Sequence, residues 1–335
     1  MVAYDLMSWA NDTEASAPPF VSVIIPVKNG EGKLEHCLRG LQQQTYPAAS
    51  FEVIVADGAS RDRTVEIARA AGARVIDNPR QNASAGRNVG IAAARGSLIA
   101  VLDDDCVPTP DWLSRGVAAL QTGAFDALGG PMPVPDGSTP WSRAVDWVFG
   151  MAARGAGATQ SGQTRSAVTD DIPGGNALYR RAALDTVGPY DETLWAEDVD
   201  LHLRMRMAGL KLGFCSDFVS SHRRRDSVRG FYAQMRRYGV GRVQVFRKQG
   251  QGMKAAHFAV SGVGVLVCLA GVMAPGWTLF CCAGGSTTLF AAGLFAGSPA
   301  STALLLGPAL LVFVAGWSVG TWSELLSPLR TTTGW

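Results

Sequence analysis

At 335 residues, with 30 Lys and Arg against 28 Asp and Glu, the chain carries a net charge of only +2. That length suits one large domain or two ordinary ones, and the near-neutral balance speaks against nucleic-acid binding by phosphate neutralisation, which needs a strong basic excess. Charged residues make up 17%, below the soluble norm of about 25%, because none falls between Ala255 and Ser323. The composition therefore joins a soluble part to a membrane part. Cys37, Cys106, Cys215, Cys268, Cys281 and Cys282 form no C-x-x-C pair and no zinc spacing, as expected in a reduced, cytosolic setting.

Residues 1–19 read as a polar leader. Asp5, Asp12 and Glu14, with no apolar core around them, argue against a signal peptide and for a soluble part facing the cytoplasm. Val21-Ser22-Val23-Ile24-Ile25-Pro26 then predicts a buried strand stopped by proline. A helix follows over 31–44, with Leu34, Cys37, Leu38 and Leu41 on one face. Phe51 to Ala56 is the second strand and ends at Asp57. A helix over 62–72, a strand over 73–76 and an Ala-rich helix over 83–95 continue the alternation. The strand from Ser97 to Leu102 runs straight into Asp103-Asp104-Asp105. Such alternation predicts a parallel α/β sheet, whose ligands sit beyond the carboxyl ends of the strands. Asp57 and the Asp103 cluster both occupy that position.

The stretch 126–180 reads as loose, with a Gly/Ser/Thr-rich part at 154–169; long loops of this kind are usually functional or mobile. From Arg223 to Lys254 ten basic residues face only Asp226. Apolar segments follow at about 256–274, 277–296 and 302–321, each near the ~20 residues that span a bilayer. The basic flank marks the cytoplasmic end of the first span. About three spans are expected, with a two-span or re-entrant arrangement as the alternative. The expected division is a leader at 1–19, a catalytic domain at 20–225, basic juxtamembrane helices at 226–254, a transmembrane region at 255–323 and a tail at 324–335.

Two carboxylates two residues apart at a strand end, Asp103 and Asp105, suit a hard divalent cation, Mg²⁺ or Mn²⁺, which also binds phosphates. A helix cap needs one acid, and three in a row repel one another. The nucleophile loop of haloacid-dehalogenase-type phosphatases has a similar look, but it follows the first strand of its domain, whereas this one follows at least three βα units. Asp57 can accept from a nucleobase imide or a ribose hydroxyl, while Ser60 and Asp62 serve as caps. Glu197-Asp198-Val199-Asp200-Leu201 opens a helix, where a carboxylate can cap or act as a general base; Asp198 is the stronger choice. His222, ending a strand-like run, is a candidate third metal ligand. Gln234-x-x-Arg237-Tyr238 lies on a basic helix that can reach a diphosphate or an acceptor. Gly30-x-Gly32 lacks a third glycine and Gly32-Lys33-Leu34 lacks the Ser/Thr of a P-loop.

Five motifs in chain order, Val21 to Asn29, Val55-Ala56-Asp57-Gly58-Ala59-Ser60-Arg61-Asp62, Gly86-Arg87-Asn88-Val89-Gly90, Leu102 to Asp105 and Glu197 to Leu201, resemble those of inverting family-2 glycosyltransferases over about 21–245. The resemblance implies the GT-A fold, a Rossmann-like nucleotide-diphospho-sugar transferase domain, followed here by C-terminal transmembrane helices. The Arg-Tyr-Gly region ahead of the apolar segments is similar to succinoglycan-biosynthesis-type glucosyltransferases. By position, the resemblance implies donor contacts from Pro26, Asn29, Glu31, Asp57, Arg87, Asp103 and Arg237. It implies metal ligation by Asp103, Asp105 and His222, a catalytic base at Asp198, and an acceptor side of Gly175, Asn176, Glu197, Gln234 and Tyr238. Gly30 departs from a commonly acidic position, with Glu31 as its substitute. Tyr238 stands where processive synthases carry Trp.

The expected protein is a multi-pass enzyme of a bacterial-type inner membrane with its catalytic domain cytoplasmic. It would move a sugar, from a UDP-sugar above all, to a hydroxyl of a lipid-linked acceptor in cell-surface polysaccharide or glycolipid synthesis, with no nucleic-acid partner. The alternatives are a non-catalytic nucleotide-sugar binding subunit and a processive polysaccharide synthase.

Overall fold

The computed structural model describes residues 17–156 and 167–328. Most of the expected leader, residues 157–166 of the Gly/Ser/Thr-rich stretch and most of the expected tail lie outside the described residues. β1 (Val21–Val27), α1 (Glu31–Gln42), β2 (Phe51–Asp57), α2 (Thr64–Ala70), β3 (Arg74–Asp77), α3 (Ala83–Ala93) and β4 (Leu98–Leu102) alternate as predicted. The remainder of the sheet domain holds β5 (Cys106–Pro108), α4 (Trp112–Gln121), β6 (Ala127–Gly129), α5 (Pro140–Ala156), β7 (Ala167–Val168), β8 (Asn176–Arg180), α6 (Arg181–Val187), α7 (Glu197–Met207), β9 (Leu212–Phe214) and β10 (Ser220–His222). α8 (Val228–Gln249), α9 (Ala255–Met273), α10 (Pro275–Phe295), α11 (Ala300–Ala303) and α12 (Leu306–Leu325) close the chain.

The main sheet runs β3-β2-β1-β4-β8-β6-β9-β7. Its first four strands are parallel, so the expectation of a parallel sheet holds there. It fails beyond β4, where β8 pairs antiparallel with both β4 and β6. Alternate side chains of the central strands enter separate cores, as the two-residue strand period dictates. Val21, Val23 and Ile25 pack with Leu34, Leu38, Trp112 and Val117 of α1 and α4. Ile24, Ile99 and Val101 pack with Leu184, Leu201 and Met205 of α6 and α7. Three registers then place the candidate site. Val27 pairs with Asp57, Leu102 with Asn176, and His222 with Cys106 across the small antiparallel β5–β10 ribbon.

The stretch expected to be loose contains α5. Proline at its first position suits a helix start, and Ala144, Val145, Val148 and Phe149 form an apolar face that packs on Phe231 and Met235 of α8 and Phe313 of α12.

Three long helices form in the apolar region, α9, α10 and α12. Among the described residues, α9 and the α11–α12 stretch, Ala300–Leu325, are long and apolar enough to cross a membrane, and α10 carries a further apolar run at Cys281–Phe295. α9 exposes Leu266, Leu269, Val272 and Met273. Half of α12 is buried, and the seam is unusually close: Gly316 and Gly320 face the α8 backbone at Tyr232 and Arg236, while Gly239 of α8 faces Trp317 and Thr321. Small residues four apart allow such an approach. Gly320→Leu would force a side chain into the α8 backbone and should cost about 1–3 kcal/mol, lowering the thermal midpoint in detergent. Gly262→Leu, where nothing lies within 4 Å of the added carbon, should leave the midpoint unchanged. Equal midpoints for the two variants would show that the seam is loose.

Candidate active site

The carboxyl ends of β1 and β2 form one cradle. Asn29 adopts φ 53°, a left-handed conformation that asparagine tolerates. Its N–H donates to Ser60 Oγ at 2.8 Å, and its Oδ1 accepts from the Arg61 N–H at 2.9 Å. Asp57 is 8% exposed. One of its oxygens accepts from the Ser60 N–H at 3.1 Å, while Oδ1 is buried without a hydrogen-bond partner among the described residues. An orphaned buried acceptor is costly unless something donates to it. Pro26 is buried against Gly86 of α3. Glu31 accepts from the Arg63 N–H at 3.3 Å and faces that guanidinium at 3.8 Å, so its carboxylate serves the α1–α2 contact. A side chain at Gly30 would meet Val27 and the Asp104 carboxylate. An acid there would clash and repel, which explains the glycine.

Asp103, Asp104 and Asp105 differ sharply. Asp103 accepts from Arg87 Nη2 at 3.0 Å, and its N–H donates to Gly175 O at 3.2 Å. Burial, and then the neighbouring Asp105 charge, push Asp104 up to about 6. Burial would also raise Asp105, but the hydrogen bond and charge of His222, followed by Lys33, bring it down to about 2. His222 Nε2 lies 3.3 Å from Asp105 Oδ1, and its Nδ1 lies 3.1 Å from Arg224 Nη1. A guanidinium only donates, so Nδ1 accepts and Nε2 carries the proton directed at Asp105. His222 in this arrangement supports Asp105, and ligation through Nε2 would require that proton to leave. Arg224 is itself anchored by Asp146 at 2.9 Å and Met132 O at 3.0 Å. Among the described residues no three His, Cys, Asp or Glu side chains converge as a metal site. Two carboxylates nevertheless fit Mg²⁺ or Mn²⁺ when substrate phosphates supply further oxygens.

Arg87 ties this rim to α7. Its side chain is 6% exposed, and it pairs with both Asp103 and Glu197. Burial alone would lower its pKa, but the Asp103 and Glu197 charges hold it above the usual arginine range. Burial raises Glu197 despite Arg87. Gly174 and Gly175 form the loop between the two acidic groups. Any side chain at Gly175 would meet the Asp103 carboxylate, and one at Gly174 would meet Asp198. Asp198 thus stands one residue along the same loop from Asp103. Asn176, placed on the acceptor side by sequence, is instead fully buried. Its Oδ1 accepts from Trp112 Nε1 at 2.8 Å, and its amide donates to Phe218 O and Pro131 O. It braces the loop from within, which corrects that assignment.

On α8, burial and then the Asp198 charge raise the Tyr238 hydroxyl, and its ring packs on Phe149 with centroids 6.3 Å apart. Gln234 Nε2 donates to Tyr238 Oη at 3.4 Å. Arg237 is exposed and makes no hydrogen bond or ion pair among the described residues. Sequence reasoning missed Lys33, 3.8 Å from Asp105, and the Arg224 anchor. It also missed Asp200, which accepts from Arg204 Nε at 2.8 Å and Gln249 Nε2 at 2.7 Å and pairs with Lys248 at 3.0 Å, fastening α7 to the end of α8. The four-residue spacing from Asp200 to Arg204 was the available signal.

A parallel half-sheet turning mixed after β4, with acidic groups at its strand ends, is the architecture of the GT-A fold. Among solved structures, the mannosyltransferase PcManGT from Pyrobaculum calidifontis in complex with GDP-Man and Mn²⁺ shares that fold, with a TM-score of 0.63 at 19% identity over 95% of this chain and 90% of that one. Residues 22–188 match the model for Glycosyl transferase family 2. Glycosyltransferase AglE of Haloferax volcanii is 34% identical over 240 residues, covering 69% of this chain and 75% of that protein. Beta-monoglucosyldiacylglycerol synthase of Trichormus variabilis is 26% identical over 199 residues, 56% of this chain but only 42% of the synthase. The chain belongs to glycosyltransferase family 2 and is a glycosyltransferase.

The folded chain holds the Asp104 proton to about pH 6, whereas an unfolded chain releases it near pH ~4. The native state therefore binds more protons between these values, and this group's contribution to stability falls as pH rises across them. Asp104→Asn should gain stability relative to the unsubstituted protein from pH 4 to 6 in unfolding titrations without divalent ions. Parallel pH curves for the two would refute this.

Proposed function

We propose that the protein transfers a sugar from a nucleotide-diphosphate donor, a UDP-sugar above all, to a hydroxyl of a lipid-linked acceptor, with inversion. The observation that carries this reading is the Gly174–Gly175 loop, which lies against Asp103 on one side and Asp198 on the other. Donor and base sites then adjoin with no side chain between them.

In this reading Asp57 accepts from the nucleobase or ribose, and its unpartnered buried oxygen supports that role. Pro26 and Asn29 shape the nucleoside cradle. Asp103 and Asp105 hold Mg²⁺ or Mn²⁺, with His222 steadying Asp105. The cation, when bound, neutralises charge on the departing diphosphate. The PcManGT complex with Mn²⁺ supports this choice of ion. Asp198 removes the proton from the acceptor hydroxyl as its oxygen attacks the anomeric carbon. Glu197, paired with Arg87, remains a holder of geometry; Arg237 reaches the donor diphosphate, while Gln234 and Tyr238 line the side from which the acceptor enters.

The exposed apolar faces of α9 and α12 support anchoring in a plasma membrane, with residues 20–225 catalytic and cytoplasmic, 226–254 at the interface and 255–323 in the bilayer. Basic residues of α8 favour anionic headgroups, at about 1 kcal/mol each near the surface. The name of the diacylglycerol-glucoside synthase relative supports a lipid acceptor.

A panel of labelled nucleotide sugars, offered to the full chain in detergent with and without Mn²⁺ or Mg²⁺, tests this. Turnover should require the cation, vanish with chelator and return on its re-addition. Asp198→Asn should lose about 10²–10⁴-fold in rate while binding the nucleoside diphosphate as before. A near-normal rate from this variant would remove Asp198 from its role. Asp57→Asn should instead weaken nucleotide binding about ten-fold or more, since a hydrogen bond to a charged group is worth about 1.5–3 kcal/mol.

A further inference from the structure

Behind α7 lies a polar chain that the transfer reaction leaves unused. His202 follows Asp198 by four residues and so sits one turn along the same side of the helix; it is 1% exposed. Its Nδ1 lies 2.7 Å from Asp171 Oδ1, and its Nε2 lies 2.9 Å from Tyr179 Oη. The carboxylate requires an N–H at Nδ1, which leaves Nε2 to accept from Tyr179. Tyr179 in turn accepts from Tyr190 Oη at 3.2 Å, and the Arg87 guanidinium sits 5.5 Å above the Tyr190 ring. Every donor in the chain thus meets an acceptor, and the chain ends beneath the arginine that joins Asp103 to Glu197.

Asp171 is its hub. Oδ2 accepts from Arg242 of α8 at 2.9 Å, and Oδ1 also accepts from the Ile172 N–H at 3.1 Å. Only Ile172 and Pro173 separate it from Gly174. Burial alone would raise its pKa, but His202 and Arg242 together hold it far below the usual carboxylate range. On this side Leu203 and Val199 of α7 pack with Val245 of α8, beside a cavity of about 330 Å³ that Asp171 and Arg242 also line.

We propose that Asp171, acting through His202 and Arg242, is a positioning residue for the transfer step, holding the Gly174–Gly175 loop, α7 and α8 in the register that presents Asp198. This rests on Asp198 being the base. Among the described residues the latch makes no hydrogen bond or ion pair to Pro26, Asn29 or Asp57, so it governs turnover and not binding of the nucleoside. α8, packed against the apolar helices, contributes Arg242 to it, and the seating of α8 thereby reaches the reacting end of the cleft.

The test uses the full chain in detergent with the nucleotide sugar selected by the panel. Asp171→Asn should lower kcat at least ten-fold while the donor KM and the Kd for UDP or GDP stay within two-fold, and Asp171→Glu should recover part of the rate. Tyr179→Phe, which removes one hydroxyl, should lower kcat several-fold with the same split and serves if Asp171→Asn does not fold. A kcat within two-fold of normal for both Asp171→Asn and Tyr179→Phe, with Asp198→Asn inactive, overturns this proposal alone. Loss of nucleotide affinity in step with kcat would show a merely structural role and overturn it too. A normal rate for Asp198→Asn overturns both this proposal and the assignment of the base.

Discussion

The buried guanidinium of Arg87 is the interaction on which the cleft depends. Asp103 and Glu197 come from elements far apart in sequence, one at the end of β4 and the other at the start of α7; Glu197 is mostly buried, while Asp103 keeps about a third of its side chain in contact with solvent. Brought together without a cation they would repel. With Arg87 between them they lock the helix bearing Asp198 to the strand end bearing Asp103. Removing one partner of such a cluster leaves an uncompensated buried charge, which generally costs about 3–5 kcal/mol. The same arginine covers Tyr190, so one side chain fixes both the front and the rear of α7.

Around that clamp the three aspartates after β4 are not equivalent. Asp103 answers to Arg87, Asp105 to His222 and Lys33, and Asp104, turned towards Gly30, has no cation close enough to offset its burial and its acidic neighbours. Their division of labour follows from the turn they form between β4 and β5, closed by the Cys106 N–H donating to Asp103 O at 3.1 Å, which sends the three carboxylates in different directions. The placing of Asp104 also leaves no room for a side chain at position 30.

Much of this was legible in the sequence. Apolar runs ending in Asp57 and Asp103 announced strand ends, and strand ends in such folds face ligands. The order of the motifs along the chain gave the family, and Asp198 could be singled out from the helix it opens. What could not be read is whatever depends on long-range register. β8 looks like any short strand, and only its pairing with β4 turns Asn176 inward and puts Gly174 and Gly175 beside the acids. His222 could be seen to end a strand, but its tautomer is set by Arg224, whose partner Asp146 lies on a helix hidden in a stretch that reads as loop. The apolar tail was legible as lipid-compatible.

The seam between α8 and α12 has a consequence of its own. Backbones that touch through glycines leave little slack, so α8, which sends Arg242 to Asp171, is held closely against α12. On the proposed membrane-anchored reading, that close seating ties the height of the reacting groups to the depth of the apolar helices, like a gauge set at one depth, and a lipid-linked acceptor has to present its hydroxyl there.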